Sequence, residues 1–202
     1  MKLYYAPGVC SLSPHIALRE AGIPIELVKV DLGRHTLPDG SDYHRINPRG
    51  YVPVLAFDDG ELLSEGPAIV QYIADLKPGS GLAPPHGTRE RYRLQAWLAF
   101  INAELHKAMA PLFDAGLPDA VKDGVRAKLS QRFDWVDEQL EGRAYTMGDQ
   151  FSVADGYLFT VVEWFRFVGL DLARWPVLKA YRDRVAARPA VQAAMRAEGL
   201  IR

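Results

Sequence analysis

The fold of this chain is decided by residues 2–15, Lys-Leu-Tyr-Tyr-Ala-Pro-Gly-Val-Cys-Ser-Leu-Ser-Pro-His. The first four residues predict a β-strand, proline and glycine predict a turn, and Ser13 followed by Pro14 predicts a helix start. The turn carries Cys10, the only cysteine of the chain. Backbone N–H groups and the dipole at such a helix start favour a thiolate, either of Cys10 or of a bound ligand. The alternative interpretation of Cys10 is a small buried hydrophobic side chain.

Composition narrows the possible classes of protein. The chain has 202 residues, which suffices for one large domain or two small ones. With 49% hydrophobic residues, 24% charged residues and a formal net charge of −1, it lacks a charge that would favour nucleic acid or an anionic membrane. A single cysteine excludes an intrachain disulfide, and no run is apolar enough for a signal peptide or a membrane span. We expect a cytoplasmic protein that binds neither nucleic acid nor membranes.

Strand and helix signals alternate through residues 1–77, which predicts an α/β domain. Residues 25–30 (Ile-Glu-Leu-Val-Lys-Val) predict a second strand, parallel to the first because a helix connects the two. A polar loop with at most a short helix near residues 41–45 follows, and Asp58-Asp59-Gly60 marks a hairpin. A further helix is predicted to begin at Ser64. The resulting order, βαβαββα, indicates a mixed sheet with helices.

The rest of the chain is predicted to be all-helical. Residues 78–87 are rich in proline and glycine, as is typical of a linker, so the second domain is expected at residues 88–202. Apolar residues at helical spacing predict helices at residues 89–109, 121–140, 153–168, 177–187 and 190–198. The helix at 153–168 is apolar almost all round, as expected of a central helix. Ser152 and Asp155 predict a capping box at its start.

Two further segments of the first domain could hold a ligand. Pro53 stands at a strand entrance, where Val52, if the bond between them is cis, turns its N–H and C=O outward to pair with an extended peptide. A proline in an ordinary turn is the alternative. Glu65 and Gly66 stand at a helix start, whose N–H groups bind carboxylates, while the Glu65 side chain could meet an ammonium group. The alternative there is an ordinary acidic residue in a first helical turn.

The helix predicted at residues 89–109 carries one small, polar face. Ala99, Asn102, Ala103 and His106 are spaced by three or four residues and therefore lie on the same side of the helix. His106 can donate a hydrogen bond to a thiolate or transfer a proton near neutral pH. The alternative is a histidine that is merely solvated or that satisfies its hydrogen bonds with a neighbouring residue.

Taken together, these motifs resemble those of the glutathione S-transferases, and most closely those of the bacterial beta class. The similarity begins with residues 2–15 and extends over essentially the whole chain. The further motifs are Asn47-Pro48, Gly50, Val52-Pro53-Val54-Leu55, Glu65-Gly66, Ala68-Ile69-Val70-Gln71-Tyr72, Phe151-x-Val-Ala-Asp155 and Glu198-Gly-Leu-Ile201.

The resemblance implies a fold and a binding mode. It implies a thioredoxin-like N-terminal domain, an all-helical C-terminal domain and a homodimer, with glutathione as co-substrate and no permanently bound cofactor or metal. The implied catalytic residues are Cys10, beside the glutathione sulfur, and His106. The implied glutathione contacts are Tyr5, Ser11, His35, Val52, Pro53 after a cis bond, Glu65, Gly66, Ala99, Ala103 and Glu104. The implied electrophile pocket, between the domains, contains Val9, Ala110 and Trp164.

The favoured hypothesis is that glutathione thiolate attacks an electrophilic carbon of a hydrophobic co-substrate, as in detoxification. Two alternatives stay open: a thiol-disulfide oxidoreductase or peroxidase acting through Cys10, and a non-catalytic carrier of apolar ligands. Three residues depart from the family pattern. His35 replaces a lysine that often reaches the glycyl carboxylate, and Ala99 and Ala103 replace asparagine and serine that often bond glutathione. Loss of such bonds, at about 0.5–1.5 kcal/mol each, predicts weaker glutathione binding than is usual in the family.

Overall fold

The computed structural model describes residues 1–202, which divide into two units. The first unit comprises residues 1–83 and 188–202, and the second comprises residues 84–187. This differs from the domain predicted at residues 88–202, because the last helix packs with the N-terminal unit. No helix combines the length and the apolarity that crossing a membrane requires.

A four-stranded sheet with the strand order β2-β1-β3-β4 lies at the centre of the first unit. The strands are β1 (Lys2–Tyr5), β2 (Glu26–Lys29), β3 (Val54–Ala56) and β4 (Leu62–Ser64). Strands β1 and β2 are parallel, with Leu3 opposite Leu27. Strand β3 runs antiparallel to both β1 and β4. The predicted mixed sheet is therefore confirmed.

Three helices belong to the first unit. They are α1 (Leu12–Ala21), α2 (Gly66–Leu76) and α9 (Pro189–Ala197), the last helix of the chain. A single 3-10 turn, Tyr43–Arg45, stands where the predicted order βαβαββα has its second helix. Helix α1 begins at Leu12, with Ser11 in the N-cap position, and not at Ser13 as the sequence predicts. The Leu12 N–H already bonds the Val9 carbonyl at 2.9 Å, which starts the helical winding earlier.

Helix α2 likewise begins at Gly66 and not at Ser64. Ser64 lies opposite Val54 in the antiparallel ladder, so cross-strand pairing keeps it extended. Glu65 follows with a φ of 70° and a ψ of 109°, a conformation that is uncommon for a residue with a Cβ atom. The chain therefore turns sharply at Glu65 and enters the helix at the glycine.

Polar contacts fasten the C-terminal segment to the first unit. Arg188 donates two hydrogen bonds to the carboxylate of Glu20, at 2.6 and 2.8 Å. Glu198 accepts the Gly8 N–H and contacts the His15 ring, both at 2.9 Å. Helix α9 also packs against α1. These partners are far apart in sequence, which explains why local patterns do not connect this segment with the first unit.

The second unit is all-helical, as predicted. Its segments are α3 (Arg89–Phe100), a π-helix (Ile101–His106), α4 (Lys107–Met109), α5 (Asp119–Leu140), α6 (Val153–Val162), α7 (Phe165–Val168) and α8 (Pro176–Ala186). The helix predicted at residues 89–109 is thus interrupted by a π-helix, a feature that is frequent at functional sites. Every residue of α6 is buried, which confirms the predicted central helix.

Asp155 anchors the start of α6. The Ser152 N–H donates to its carboxylate at 2.8 Å, which confirms the predicted capping contact. The carboxylate also accepts the Thr146 N–H at 2.7 Å and the Tyr181 hydroxyl at 2.9 Å. Because the group is completely buried, burial raises the pKa of Asp155 above its ordinary value. One side chain therefore joins α6 to the preceding loop and to α8.

Candidate active site

Cys10 lies in the turn between β1 and α1, as predicted. The turn is held by Ser11, whose hydroxyl donates to the Ala6 carbonyl at 3.0 Å and accepts the Ala6 N–H at 3.1 Å. Ser11 is completely buried, so its side chain shapes the turn. The thiol of Cys10 is partly exposed and donates to the carbonyl oxygen of Val52 at 3.1 Å. The first unit therefore brings two predicted site residues, Cys10 and Val52, into direct contact.

A buried carboxylate, which sequence reasoning does not assign to the site, holds the same turn. Glu198 accepts a hydrogen bond from the Gly8 N–H and pairs with His15 Nδ1. The side chains of Glu198 and His15 are both 0% exposed. Arg19 Nε donates to His15 Nε2 at 3.3 Å, so the imidazole hydrogen belongs on Nδ1 and is donated to Glu198. The C-terminal segment thereby fixes the backbone two residues before Cys10. The one sequence signal for this contact is the family-like ending that contains Glu198.

Val52 presents its backbone beside the Cys10 thiol. The Val52–Pro53 bond is cis, as the resemblance implies. The carbonyl of the preceding Tyr51 accepts the Tyr43 hydroxyl at 2.9 Å and the Asn47 side-chain amide at 2.7 Å, which fixes the direction of the backbone. The Val52 N–H donates to no group of the protein. An N–H donor and a carbonyl acceptor on one residue can pair with an extended peptide.

The start of α2 combines a carboxylate with a backbone donor. The Glu65 carboxylate accepts a hydrogen bond from Arg49 at 2.9 Å, and the same guanidinium donates to the Ser64 hydroxyl at 2.9 Å. The Gly66 N–H has no backbone acceptor, and a Cβ added there would lie 4.0 Å from the Pro53 ring. The helix start therefore adjoins the cis-proline. An acidic group next to a helix-start N–H suits the ammonium and carboxylate of an amino-acid head group.

His35 lies in a strained loop against the turn that leads to Val52. It has a φ of 52°, and its ring lies 4.5 Å from the His44 ring. The backbone at Gly50 approaches so closely that an added Cβ would lie 2.8 Å from the His35 ring. Because the buried Nδ1 of His35 has no hydrogen-bond partner, the hydrogen of the neutral ring belongs on Nε2. His44 in turn contacts Asp42 at 2.9 Å, and its backbone and side-chain hydrogen bonds lower the pKa of that carboxyl.

Tyr5 ends strand β1 and is 8% exposed. Burial, followed by the charge of Glu198, raises the pKa of its hydroxyl above the ordinary value. The hydroxyl is therefore protonated at neutral pH and can only donate or accept a hydrogen bond. It cannot serve as an anionic base for a thiol.

In the second unit, His106 ends the π-helix and contacts α6. Its Nδ1 lies 2.7 Å from the Tyr157 hydroxyl, which itself donates to Asn102 Oδ1 at 3.0 Å. Since the one hydroxyl hydrogen goes to Asn102, His106 Nδ1 is the donor to Tyr157, and the lone pair of the neutral ring lies on Nε2. The sequence offers two roles for His106, donating to a thiolate or transferring a proton. This tautomer favours the second, as a proton acceptor.

Trp164 packs against His106, with ring centroids 4.9 Å apart. It is 7% exposed, so it supports the imidazole more than it lines a pocket. Phe113 meets Trp164 edge-on at 6.3 Å and is 54% exposed, which makes it an apolar surface that sequence reasoning misses. Ala110, the other predicted pocket residue of this unit, is exposed.

Ala99, Ala103 and Glu104 all lie at exposed positions of the second unit. The two alanines offer no side-chain hydrogen bond. The Glu104 carboxylate accepts a hydrogen bond from Arg132 at 2.9 Å, so it is already paired. The polar groups of this face are therefore Asn102 and His106.

Family models match both parts of the chain. The model of the glutathione S-transferase N-terminal domain matches residues 9–76, and that of the C-terminal domain matches residues 119–184. The chain belongs to the glutathione S-transferase family. Glutathione S-transferase GstA of Escherichia coli O157:H7 is 46% identical over 200 residues, which cover 99% of this chain and 100% of the relative.

Solved transferases share the fold over its full length. A sphingomonad glutathione S-transferase complexed with glutathione is 48% identical, with a TM-score of 0.95 and 100% of both chains covered. The bacterial beta-class glutathione S-transferase of Sphingomonas chungbukensis is 47% identical, with the same TM-score of 0.95 and the same 100% coverage of both chains. The resemblance to the beta class and the predicted thioredoxin-like and helical parts are therefore confirmed.

The predicted site residues of this transferase fall into two sets. The first unit holds Tyr5, Val9, Cys10, Ser11, His35, Val52, Pro53, Glu65 and Gly66. The second unit holds Ala99, Ala103, Glu104, His106, Ala110 and Trp164. Val9 is partly buried against the hydrophobic cluster that includes Val52. Residues that sequence reasoning misses are Arg49, Phe113, Tyr157 and Glu198.

Proposed function

We propose that this protein is a glutathione transferase, which joins the sulfur of glutathione to an electrophilic carbon of a small hydrophobic co-substrate. The observation that carries the proposal is the Cys10 thiol 3.1 Å from the Val52 carbonyl, beside a Val52 N–H without a partner. A thiol peptide that pairs with Val52 would bring its own sulfur close to Cys10. The names of the relatives favour conjugation over the oxidoreductase and carrier alternatives.

Each part of glutathione has a suitable partner in the first unit. The cysteinyl backbone would pair with the N–H and C=O of Val52, as an added strand does. The γ-glutamyl ammonium would meet the Glu65 carboxylate, and its carboxylate would accept the Gly66 N–H. We assign the glycyl carboxylate to Nε2–H of His35, a neutral donor where many relatives have a lysine. Arg49, through its contact with Glu65, positions the head-group site.

The reaction needs a thiolate and a route for its proton. Glutathione S–H loses the proton, the sulfur forms a bond to the electrophilic carbon, and the leaving group departs with the electron pair of its own bond. We propose that Nε2 of His106 accepts the proton, because the hydrogen bond from Nδ1 to Tyr157 places the lone pair of the neutral ring on Nε2. The Cys10 S–H can then turn from Val52 to donate a hydrogen bond to the thiolate. Catalysis would come from thiolate stabilisation and positioning.

We also propose a homodimer in the cytoplasm that binds neither nucleic acid nor membranes. Support for the dimer comes from apolar side chains exposed on each unit, which are typical of interaction surfaces. Leu62 is 43% exposed and Leu76 is 44% exposed in the first unit, and Tyr92 is 64% exposed in the second. Light scattering of the purified protein tests this directly, since a mass near 22.5 kDa would contradict the dimer.

Turnover of glutathione with an activated aryl halide tests the proposed reaction. We expect saturable turnover that falls in Cys10→Ala and in His106→Gln, whereas Lys179→Ala, which breaks an exposed ion pair with Asp183, retains full activity. Unchanged turnover in both site variants would contradict the assigned roles. No turnover in the wild-type protein, with several activated electrophiles at saturating glutathione, would contradict the proposed reaction.

A further inference from the structure

Two histidines of the first unit lie side by side after strand β2. The ring centroids of His35 and His44 are 4.5 Å apart, and the His35 carbonyl accepts the Tyr43 N–H at 2.8 Å. The Tyr43 hydroxyl donates to the Tyr51 carbonyl, and burial raises its pKa, so it stays protonated. His35 is the proposed partner of the glycyl carboxylate, whereas the site described above does not use His44. Both rings belong to the first unit, so the pair is complete within it.

Each neutral ring of this pair has one nitrogen with a lone pair. His44 Nδ1 lies 2.9 Å from a carboxylate oxygen of Asp42. Hydrogen bonds from the His44 backbone and ring hold the pKa of Asp42 below its ordinary value, so this carboxylate is ionised near neutral pH. Since a carboxylate only accepts, the ring hydrogen is on Nδ1 and the lone pair of neutral His44 is on Nε2. The lone pair of His35 is on Nδ1, which is buried and has no partner.

The backbone at Gly50 leaves room beside both of these nitrogens. A Cβ atom built on Gly50 would lie 2.8 Å from His35 Nδ1 and 3.1 Å from His44 Nε2. The two nitrogens therefore border the same small space, which a larger residue would fill. A buried polar atom without a partner costs free energy. One proton held between the two nitrogens would satisfy both of them.

Asp42 is the carboxylate in contact with the pair, at 2.9 Å from His44. The other charged side chains of residues 31–50 are Asp31, Arg34, Asp39, Arg45 and Arg49. Asp31 and Asp39 accept N–H groups of their own turns, and Arg49 donates to Glu65. Arg45 adds to the attraction that keeps Asp42 ionised. A ligand carboxylate at His35 therefore brings a second negative charge close to that of Asp42.

We propose that His35 and His44 bind one proton together with the glycyl carboxylate of glutathione. In the protonated pair, His44 Nε2–H donates to His35 Nδ1, while His35 Nε2–H donates to the carboxylate. The proton comes from the solvent, and Asp42 stabilises the imidazolium charge on His44. The proposal rests on the assignment of the glycyl carboxylate to His35. Because proton and ligand binding are linked, glutathione binds more tightly as the pH falls.

Calorimetry with S-methylglutathione tests this linkage, since the probe has no thiol proton to lose. Its matched probe is the glycine amide of S-methylglutathione, which lacks the carboxylate charge. From about pH 8 to about pH 6 we expect the affinity of the wild-type protein for S-methylglutathione to rise about fivefold. Buffers of different ionisation enthalpy should show net uptake of protons on binding. The affinity for the amide should stay unchanged, and an equal rise for both probes overturns the proposal.

Substitution of His44 tests its part in the pair. We expect His44→Gln to bind S-methylglutathione with an affinity that no longer rises as the pH falls. The matched control is His86→Gln, which removes an exposed histidine of the second unit and should keep the pH dependence of the wild type. A His44→Gln protein with the pH dependence of the wild type overturns the proposal.

Nitrogen-15 NMR of the imidazole rings tests the pair without a ligand. We expect His35 Nδ1 and His44 Nε2 to carry no hydrogen at about pH 8, and the signals of both rings to change together as one proton is added. Independent titration of the two rings overturns the proposal. If neither probe binds in the calorimeter, the proposed glutathione site is wrong, and the shared titration alone supports or overturns the proton-binding pair.

Discussion

Replacement of Glu198 by alanine should destabilise the first unit strongly. The carboxylate accepts two hydrogen bonds at 2.9 Å, from the Gly8 N–H and from His15 Nδ1, and both ionisable side chains are 0% exposed. A hydrogen bond to a charged group contributes about 1.5–3 kcal/mol, and Glu198→Ala removes two of them. We therefore expect the substitution to lower the free energy of unfolding by about 3–6 kcal/mol. In a protein of this size that corresponds to a fall in Tm of roughly 6–24 °C.

Urea unfolding and thermal unfolding measure this effect, at one fixed protein concentration because a dimer's stability depends on it. Glu198→Gln keeps the shape and one acceptor oxygen, so it should lose about half as much free energy. The matched control is Glu26→Ala, which breaks the exposed pair with Lys2, in which the side chains are 50% and 59% exposed. That control should change stability by less than about 1 kcal/mol. A Glu198→Ala protein as stable as the control would refute the claim that this carboxylate holds the turn before Cys10.

Three further substitutions test other contacts. Asp155→Asn places an amide NH₂ against N–H and O–H donors, so we expect a loss of about 2–4 kcal/mol. Burial raises the pKa of Asp155 in the folded protein above its value in the unfolded chain. The contribution of Asp155 to the free energy of unfolding is therefore present at low pH and is lost as the pH rises through the folded-state pKa. The stability gap to wild type should therefore be wider near about pH 4 than near about pH 7, and a gap that widens with pH would contradict the raised pKa. Tyr157→Phe removes the acceptor of His106 Nδ1–H, so we expect kcat to fall by about two- to tenfold and its pH profile to change. An unchanged pH profile would mean that Tyr157 does not position the imidazole. Ser11→Ala leaves the Ala6 N–H and carbonyl unpaired, so we expect the free energy of unfolding in denaturant to fall by about 1–3 kcal/mol. The KM for glutathione should stay unchanged, whereas a raised KM would indicate that Ser11 contacts the ligand directly.

Much of the fold could be predicted because its signals are local. The strand at Lys2–Tyr5, the hairpin at residues 58–60 and the capping contact between Ser152 and Asp155 each depend on neighbouring residues. The position of Cys10 in the first turn followed for the same reason. The cis bond before Pro53 follows from the family resemblance and not from the local sequence.

The remaining features depend on contacts between distant residues. The position of α9 depends on the hydrogen bond from Arg188 to Glu20 and on the one from the Gly8 N–H to Glu198. The two partners of each bond are more than a hundred residues apart, so no local sequence window contains both. Helix α2 begins two residues later than predicted because Ser64 pairs with Val54 in the antiparallel ladder. The tautomer of His106 is fixed by a tyrosine 51 residues away in the chain. Tertiary contacts determine these features. Local sequence patterns therefore predict where helices and strands lie, but not the hydrogen-bond partners or the tautomer of each side chain.

The proposed glutathione site is tested most directly by a calorimetric titration of glutathione into the wild-type protein and into Glu65→Gln. We expect saturable binding to the wild type, with an affinity at least about tenfold lower in the variant, because the ammonium loses its charged partner. Asp58→Asn, a matched change at an exposed carboxylate, should bind like the wild type. Equal binding to wild type and Glu65→Gln, or no binding to the wild type at millimolar glutathione, would contradict the proposed site.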